Sequence, residues 1–347
     1  MFKRLVLALV ILSVAITCFE KSSDAEVFEH FQSFLVKHNK SYSTVEEFKE
    51  RFEIFRQNFL KVEIHHDMLA KSSHDVEYEI GVTEFFDMTP SEFAKSHLNL
   101  DISHMQRLKA QAHSIAPTFA NGDAPASWDW REQGKVSPVR NQGMCGSCWA
   151  FSAIGNVESM YAIKTGSIVQ FSEQQLVDCD KVDQGCNGGL MEDAFKYLET
   201  TGIMAEASYT YSGKGNTCKF DQSKVQAKVT GFKYASSQDE NQIKQFLYEN
   251  GPLAIAINAT PLQFYFFGVF NPWFEWICNP KELNHGVLLV GYGVSGNTQY
   301  WIVKNSWGSG WGEKGYFRLI AGKGACGVNT YVITAEVEEV KSENFNA

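Results

Sequence analysis

A chain of 347 residues, 44% hydrophobic and 20% charged, can bury a sizeable core and has the composition of a globular protein of one or two domains. Its net charge of −9, without a basic block anywhere, counts against nucleic acid as a partner. The acidity bears on solubility and says little more about function.

Lys3 and Arg4 precede an apolar run, Leu5–Ile16, and polar residues begin at Glu20. A short basic segment before an apolar stretch too brief to span a bilayer comfortably reads as a secretory signal, residues 1–20 with an end somewhere in 17–25. No stable membrane anchor is expected. Residues 26–70 are rich in Glu, Lys, Phe and His. Glu47, Arg51, Phe55, Asn58, Val62 and His66 recur every three or four residues and line one face of a helix, with Glu47 and Arg51 spaced for an i,i+4 ion pair. Residues 101–123 are polar, end in NGDAP and read as a linker.

From Ala124 onward tryptophans and glycines become frequent. Of the eight cysteines, Cys18 belongs to the signal region and the other seven lie in this part. Secretion permits disulfides, and seven is odd, so the simplest arithmetic is three bridges and one unpaired thiol. Cys148–Thr165 reads as a helix with an apolar stripe of Ala150, Ala153, Ile154, Val157, Met160 and Tyr161, stopped by Gly166. Ser172 with Gln175 predicts a capping box. Beyond Pro252 the pattern turns to strands, LAIAIN, GVLLVGY, YWIVKNS, GYFRLI and YVITAEV. A helical half followed by a β half predicts an α+β protein with a cleft between two lobes.

The stretch Gln142–Ser152, QGMCGSCWAFS, sets two cysteines three apart. A redox pair needs both thiols free to cycle within a thioredoxin-like pattern, and none precedes Cys145. Zinc needs two more ligands at short spacing, and Cys179 and Cys186 lie too far apart. A third reading is a nucleophile. A helix N-terminus favours thiolate, and Cys148 opens the predicted helix. Such a thiolate needs an imidazole and a group to orient it; LNHGVLLVGYG offers His285 and YWIVKNSWGSGWG offers Asn305.

These four motifs, in this order, resemble the papain family of cysteine proteases over nearly the whole chain. His285 follows Cys148 at the family's spacing and Asn305 falls just beyond it. The resemblance implies a two-lobed papain-like fold, with a helical left lobe, a β-barrel-like right lobe and the active-site cleft between, preceded by a helical inhibitory propeptide domain. It implies that Cys148 attacks the peptide carbonyl, His285 serves as ion-pair partner and acid/base, and Asn305 orients the imidazole. Gln142 and the Cys148 N–H would stabilise the oxyanion, and Trp307 would shield the His–Asn contact. The implied disulfides are Cys145–Cys186, Cys179–Cys218 and Cys278–Cys326, leaving Cys148 free. Gly188 and Gly189 would bond the substrate backbone. Leu190, Met191, Ala256, Leu283, Gly286 and Tyr331 would surround a specificity pocket with no charge in it, so a bulky apolar residue two before the cut is expected. An arginine preference of the cathepsin B type is not.

Residues 26–123 resemble the family's inhibitory propeptide and 124–347 its peptidase domain. Glu47, Arg51, Phe55, Asn58 and Val62 follow the cathepsin L-like propeptide motif, with His66 in place of its last Asn. Gly81–Asp87, GVTEFFD, follows the second motif through Gly81, Phe85 and Asp87, with Thr83 where Asn is usual. The propeptide is expected to cover the cleft in reverse orientation and to be removed near Ala124 in acid, where a charged His66 would help to weaken its docking. Cathepsin F and L types both fit: QGMCGSCWAFS and GACGVNT lean towards the F type, while the short propeptide, without a further domain, counts against it. The expected partners are peptide substrates, the protein's own propeptide and cystatin-like inhibitors. A monomer without cofactor is expected, in a lysosome-like compartment, a digestive vacuole or outside the cell. Trp273, Phe274 and Trp276 depart from the family pattern and either pack into the β lobe or form an exposed patch. Asn39-Lys-Ser and Asn258-Ala-Thr are N-glycosylation motifs. Two other functions remain at this point: a binding protein on the same fold that has lost catalysis, and a thiol oxidoreductase with a Cys145–Cys148 bond.

Overall fold

A computed structural model describes residues 24–70, 78–101, 124–272 and 278–340. The signal segment, most of the linker, the Trp273–Trp276 aromatics and the end of the tail lie outside the described residues. The chain divides into two compact units: residues 24–93 with Gln263–Phe266, and Ala94–Leu262 with the chain from Phe267 on.

The first unit is built on α1 (Asp24–Lys37) and α2 (Val45–Ala70). Their contact is aromatic: the buried Phe31 ring lies 5.2–5.4 Å from Phe48, Phe52 and Phe55. One face of α2 binds the backbone that follows β1 (Tyr78–Ile80). Asn58, buried, donates through Nδ2 to the carbonyls of Phe86 and Met88 at 3.0 and 2.9 Å. Arg51 donates to the Asp87 carbonyl at 3.1 Å and to Glu92 Oε1 at 2.8 Å. The expected Glu47–Arg51 pair is not formed. Glu47 instead accepts the Ser43 N–H at 2.8 Å, because donors at a helix start need an acceptor and Arg51 already has Glu92. Asp87 accepts from Lys40 and Tyr42, while Phe85 and Phe86 are buried. Gly81 donates to the Phe264 carbonyl and Thr83 to the Gln263 carbonyl. His66 is exposed and donates from Nε2 to the Ile80 carbonyl at 3.0 Å.

In the second unit, α4 (Cys148–Thr165) is the central helix. A single apolar stripe was expected, but the helix is buried nearly all round. It lies between α5 (Glu173–Cys179) and α6 (Met191–Thr201) and the strands β5 (Leu253–Ile257), β7 (His285–Ser295) and β10 (Val332–Glu339). Gly166 ends it with φ 83°, and Ser172 Oγ accepts the Gln175 N–H at 3.0 Å to start α5.

Within this unit the sheet runs β6 (Tyr265–Phe270), β9 (Tyr316–Ile320), β8 (Thr298–Lys304), β7, β5, β10, β4 (Val225–Tyr234), β3 (Ile203–Met204), with β2 (Trp128–Asp129) also paired to β7. It is antiparallel except for β6 with β9. The path has two ends and does not close, so the barrel-like lobe is an open sheet. The helix α7 (Glu240–Asn250) precedes β5.

Disulfides join Cys145 to Cys186, Cys179 to Cys218 and Cys278 to Cys326, while Cys148 is free and buried. The Cys145–Cys148 bond that a redox pair needs is therefore not made. A buried ionic cluster lies behind α4: Arg140 meets Glu158 at 2.5 Å and Glu173 at 2.6 Å, and Lys304 donates to Ser137 Oγ at 2.9 Å, which in turn donates to Glu158. Asn258 is buried, with Nδ2 donating to the Asn279 carbonyl and Oδ1 accepting the Thr260 N–H, so its glycosylation motif is closed to an enzyme in the folded chain.

Candidate active site

Cys148 is the first residue of α4 and His285 the first of β7, while Asn305 follows the end of β8. Register puts His285 opposite Ile257 and Gly286 opposite Ala256. Gly286 has no room for a side chain beyond what a few tenths of an ångström would yield: a Cβ there would lie 3.1 Å from Met191 Sδ and 3.2 Å from the Cys148 carbonyl. This close approach brings the helix start against the start of β7.

His285 Nε2 and Asn305 Oδ1 are 2.8 Å apart. Asn305 Oδ1 also accepts the Ser306 N–H at 2.8 Å, which fixes the amide orientation. The imidazole must then carry its proton on Nε2, leaving Nδ1 buried without a hydrogen bond. Trp307 lies over the ring with centroids 4.8 Å apart, backed by Trp311 at the same distance. Gln142 is held from both ends: Oε1 accepts from Ser306 Oγ at 2.7 Å, and Nε2 donates to the Cys145 carbonyl at 3.0 Å and to the His97 carbonyl at 3.4 Å. Ser306, which the motif reading passed over, thus ties Gln142 to Asn305.

Residues 94–101 cover this site. The Leu100 N–H donates to the Asn284 carbonyl at 3.2 Å and the Asp101 N–H to the Gly189 carbonyl at 3.0 Å, with Leu100 and Gly189 in a parallel bridge. Leu100 joins the apolar cluster that contains Leu190, Met191, Ala256, Leu283 and Tyr331. Two glycines make room for Asn99. A Cβ at Gly146 would stand 2.3 Å from Asn99 Nδ2, and one at Gly188, where φ is 128°, would stand 2.6 Å from the Asn99 carbonyl oxygen. The His97 ring meets Trp307 edge-on at 6.0 Å.

Burial under this segment sets the charge state. It pushes the Cys148 thiol up to about 11, against the backbone N–H groups of Gly286, Asn99 and Trp149 that favour thiolate. Burial likewise pulls His285 down to about 4, against the Asn305 bond and the His97 carbonyl, which favour the charged ring. The covered pair is a thiol and a neutral imidazole.

Comparison with known proteins matches this arrangement. The model of the papain family cysteine protease matches residues 124–336, and that of the cathepsin propeptide inhibitor domain matches residues 31–93. Cysteine proteinase 15A of Pisum sativum is 45% identical over 323 residues, 88% of this chain and 85% of that protein. Cathepsin F of Drosophila melanogaster is 42% identical over 312 residues, 88% of this chain and 50% of that protein. Among solved structures, digestive procathepsin L2 proteinase from Tenebrio molitor larval midgut has a TM-score of 0.80 at 36% identity, covering 89% of this chain and 99% of that one. The proform of Amb a 11, a ragweed pollen cysteine protease, has a TM-score of 0.78 at 39% identity, covering 90% and 95%. The chain therefore belongs to the papain family of cysteine proteases and carries a cathepsin propeptide inhibitor domain ahead of its peptidase.

Proposed function

We propose that this peptide hydrolase is an endopeptidase made as a zymogen and working through Cys148 and His285. Once residues 94–101 leave, water reaches the pair and the thiol proton passes to His285 Nδ1. The thiolate is stabilised at the start of α4. It attacks the peptide carbonyl, and the oxyanion accepts hydrogen bonds from Gln142 Nε2 and the Cys148 N–H. His285 then protonates the leaving amine, and water, deprotonated by the same ring, hydrolyses the thioester. The observation that carries this reading is the His285–Asn305 bond, which leaves Nδ1 free to take the thiol proton.

Leu100 supports a bulky apolar preference two residues before the cut, since it sits among Leu190, Met191, Ala256 and Leu283. Its Asn284 and Gly189 contacts are the backbone bonds a substrate would take over, with the chain running the other way. In this reading residues 1–20 direct the chain into the secretory pathway, 26–123 inhibit, and 124–347 form the peptidase after cleavage near Ala124. The destination is an acidic lysosome-like or digestive compartment or the cell exterior, and the mature form is a monomer open to cystatin-like inhibitors. The test is the intact mass of acid-treated protein before and after an epoxide inhibitor of the E-64 type. Loss of the N-terminal segment with one adduct on Cys148 is expected. A full-length chain with no adduct, even after a trace of active protease, would overturn the reading.

A further inference from the structure

Two carboxyl groups that the mechanism leaves unused lie under the strand on which Leu100 and Asp101 dock. Asp183 Oδ1 accepts the Leu190 N–H at 2.9 Å. It also fills the space beside Gly189, where a Cβ would meet that oxygen and the Trp149 ring at 2.6 Å. Asp180 Oδ1 accepts the Val182 N–H at 2.9 Å and the Asp183 N–H at 3.4 Å. The Oδ2 atoms of both aspartates are buried without a hydrogen-bond partner. Two carboxyl groups buried beside each other ionise together only at high cost, which favours a proton on one of them. Asp193 and Tyr331 also face Asp183, while Lys181 and Tyr197 face Asp180. Lys181 spends a donor on the Asp178 carbonyl at 2.6 Å. Burial, then the charge of Asp180, pushes Asp183 up to about 9.

The strand so held does two jobs at once. Gly189 offers its carbonyl to the docked backbone, and Leu190 walls the apolar cluster around Leu100. We propose that Asp183, through its bond to the Leu190 N–H, is a positioning residue for peptide hydrolysis that fixes the Gly188–Leu190 strand against the substrate residue two before the cut. Losing the proton held between the buried pair sets two carboxylates against each other and frees the strand, which weakens substrate binding and leaves the chemistry at Cys148 intact. This rests on the reading of Cys148 as nucleophile and of Leu100 as occupying the substrate's place.

The test uses zymogen matured by added protease, a peptide substrate with leucine two before the cut, and alkylation of Cys148 by iodoacetamide, which does not need the strand. In Asp183→Ala, KM rises about tenfold, the worth of one lost hydrogen bond, while kcat and the alkylation rate stay within about twofold. Asp183→Asn, which keeps an acceptor for Leu190 and carries no charge beside Asp180, restores the KM and holds it level from pH 7 to 10, where the wild-type KM climbs. Asp180→Asn gives the same level profile, and the two amide variants decide the matter should Asp183→Ala not fold. An unchanged KM in Asp183→Ala overturns the proposal. So does an alkylation rate that falls with substrate binding, or an amide variant whose KM climbs as the wild type's does. A wild-type protein that takes no adduct overturns the active-site reading instead.

Discussion

In the covered protein the reactive sulfur is a thiol for a plain reason: burial costs a charged form more than the N–H groups at the start of α4 return. With Cys148 up at about 11 and His285 down at about 4, neither partner is charged at neutral pH. Iodoacetamide should therefore alkylate zymogen Cys148 slowly at pH 7 and faster toward pH 11, whereas mature enzyme should react fast and with little pH dependence from pH 5 to 8. A zymogen as reactive at pH 7 as the mature form would contradict the neutral pair. Cys148, His285 and Asn305 could be picked out as candidates because each sits inside a motif whose chemistry needs that residue type. Ser306 was not, because its task, joining Gln142 to Asn305, appears only when two distant segments meet. At Asn258 the sequence left glycosylation open for the opposite reason. A three-residue motif carries no information about burial.

Among the elements, α2 was read correctly as a helix with one working face, yet the partner of that face was invisible, since it is backbone some thirty residues on. Asn58 shows the consequence. Its Nδ2 serves two carbonyls, so Asn58→Ala leaves both without that donor and should cost the propeptide fold about 2 kcal/mol. Denaturant midpoints of the zymogen would show it, and so would maturation at a less acidic pH. His38 is placed to sense acid. Burial and then Lys37 and Lys40 lower its pKa, against Asp87, and its Nε2 is buried without a partner. A histidine lowered in the fold contributes stability above its unfolded value near 6.5 that is lost as pH falls through the folded value. His65 acts in the same sense, and half-buried Glu84 in the opposite one. His38→Gln should then need a lower pH for half-maximal maturation; an unshifted midpoint would clear His38 of the role. The turn after α1 also exposes Asn39, at φ 49°, so a glycan is expected there and none at Asn258. Endoglycosidase should change the mass of Asn258→Gln and leave that of Asn39→Gln alone. The helices α6 and α7 and the strand β4 went unread, although VQAKVT alternates in the structure as buried and exposed.

Over the whole mature domain, the buried acids decide how stability follows pH. Asp183 is raised to about 9, Asp180 and Glu206 are raised, and Glu173 is raised well above its ordinary value, in each case first by burial. A carboxyl raised in the fold holds a proton that the unfolded chain has given up. Stability is therefore full below the unfolded value near 4 and is lost as pH rises toward the folded value. Lys304, lowered to about 8, varies stability only between about 8 and 10, above the range from pH 5 to 7.5. His285 runs the other way in the covered protein, but the proposed loss of residues 94–101 should expose it to water and remove the main cause of its shift. The mature enzyme should accordingly melt at a higher temperature at pH 5 than at pH 7.5, while His38 and His65 make the propeptide unit weaker over the same change. Acid thus strengthens the catalyst and loosens the inhibitor by one physical rule applied to groups of opposite charge type. In Asp183→Asn the melting temperature at pH 7.5 should rise toward its pH 5 value, because an amide has no proton to lose. If that variant falls with pH as steeply as the wild type, the acid stability comes from elsewhere in the fold.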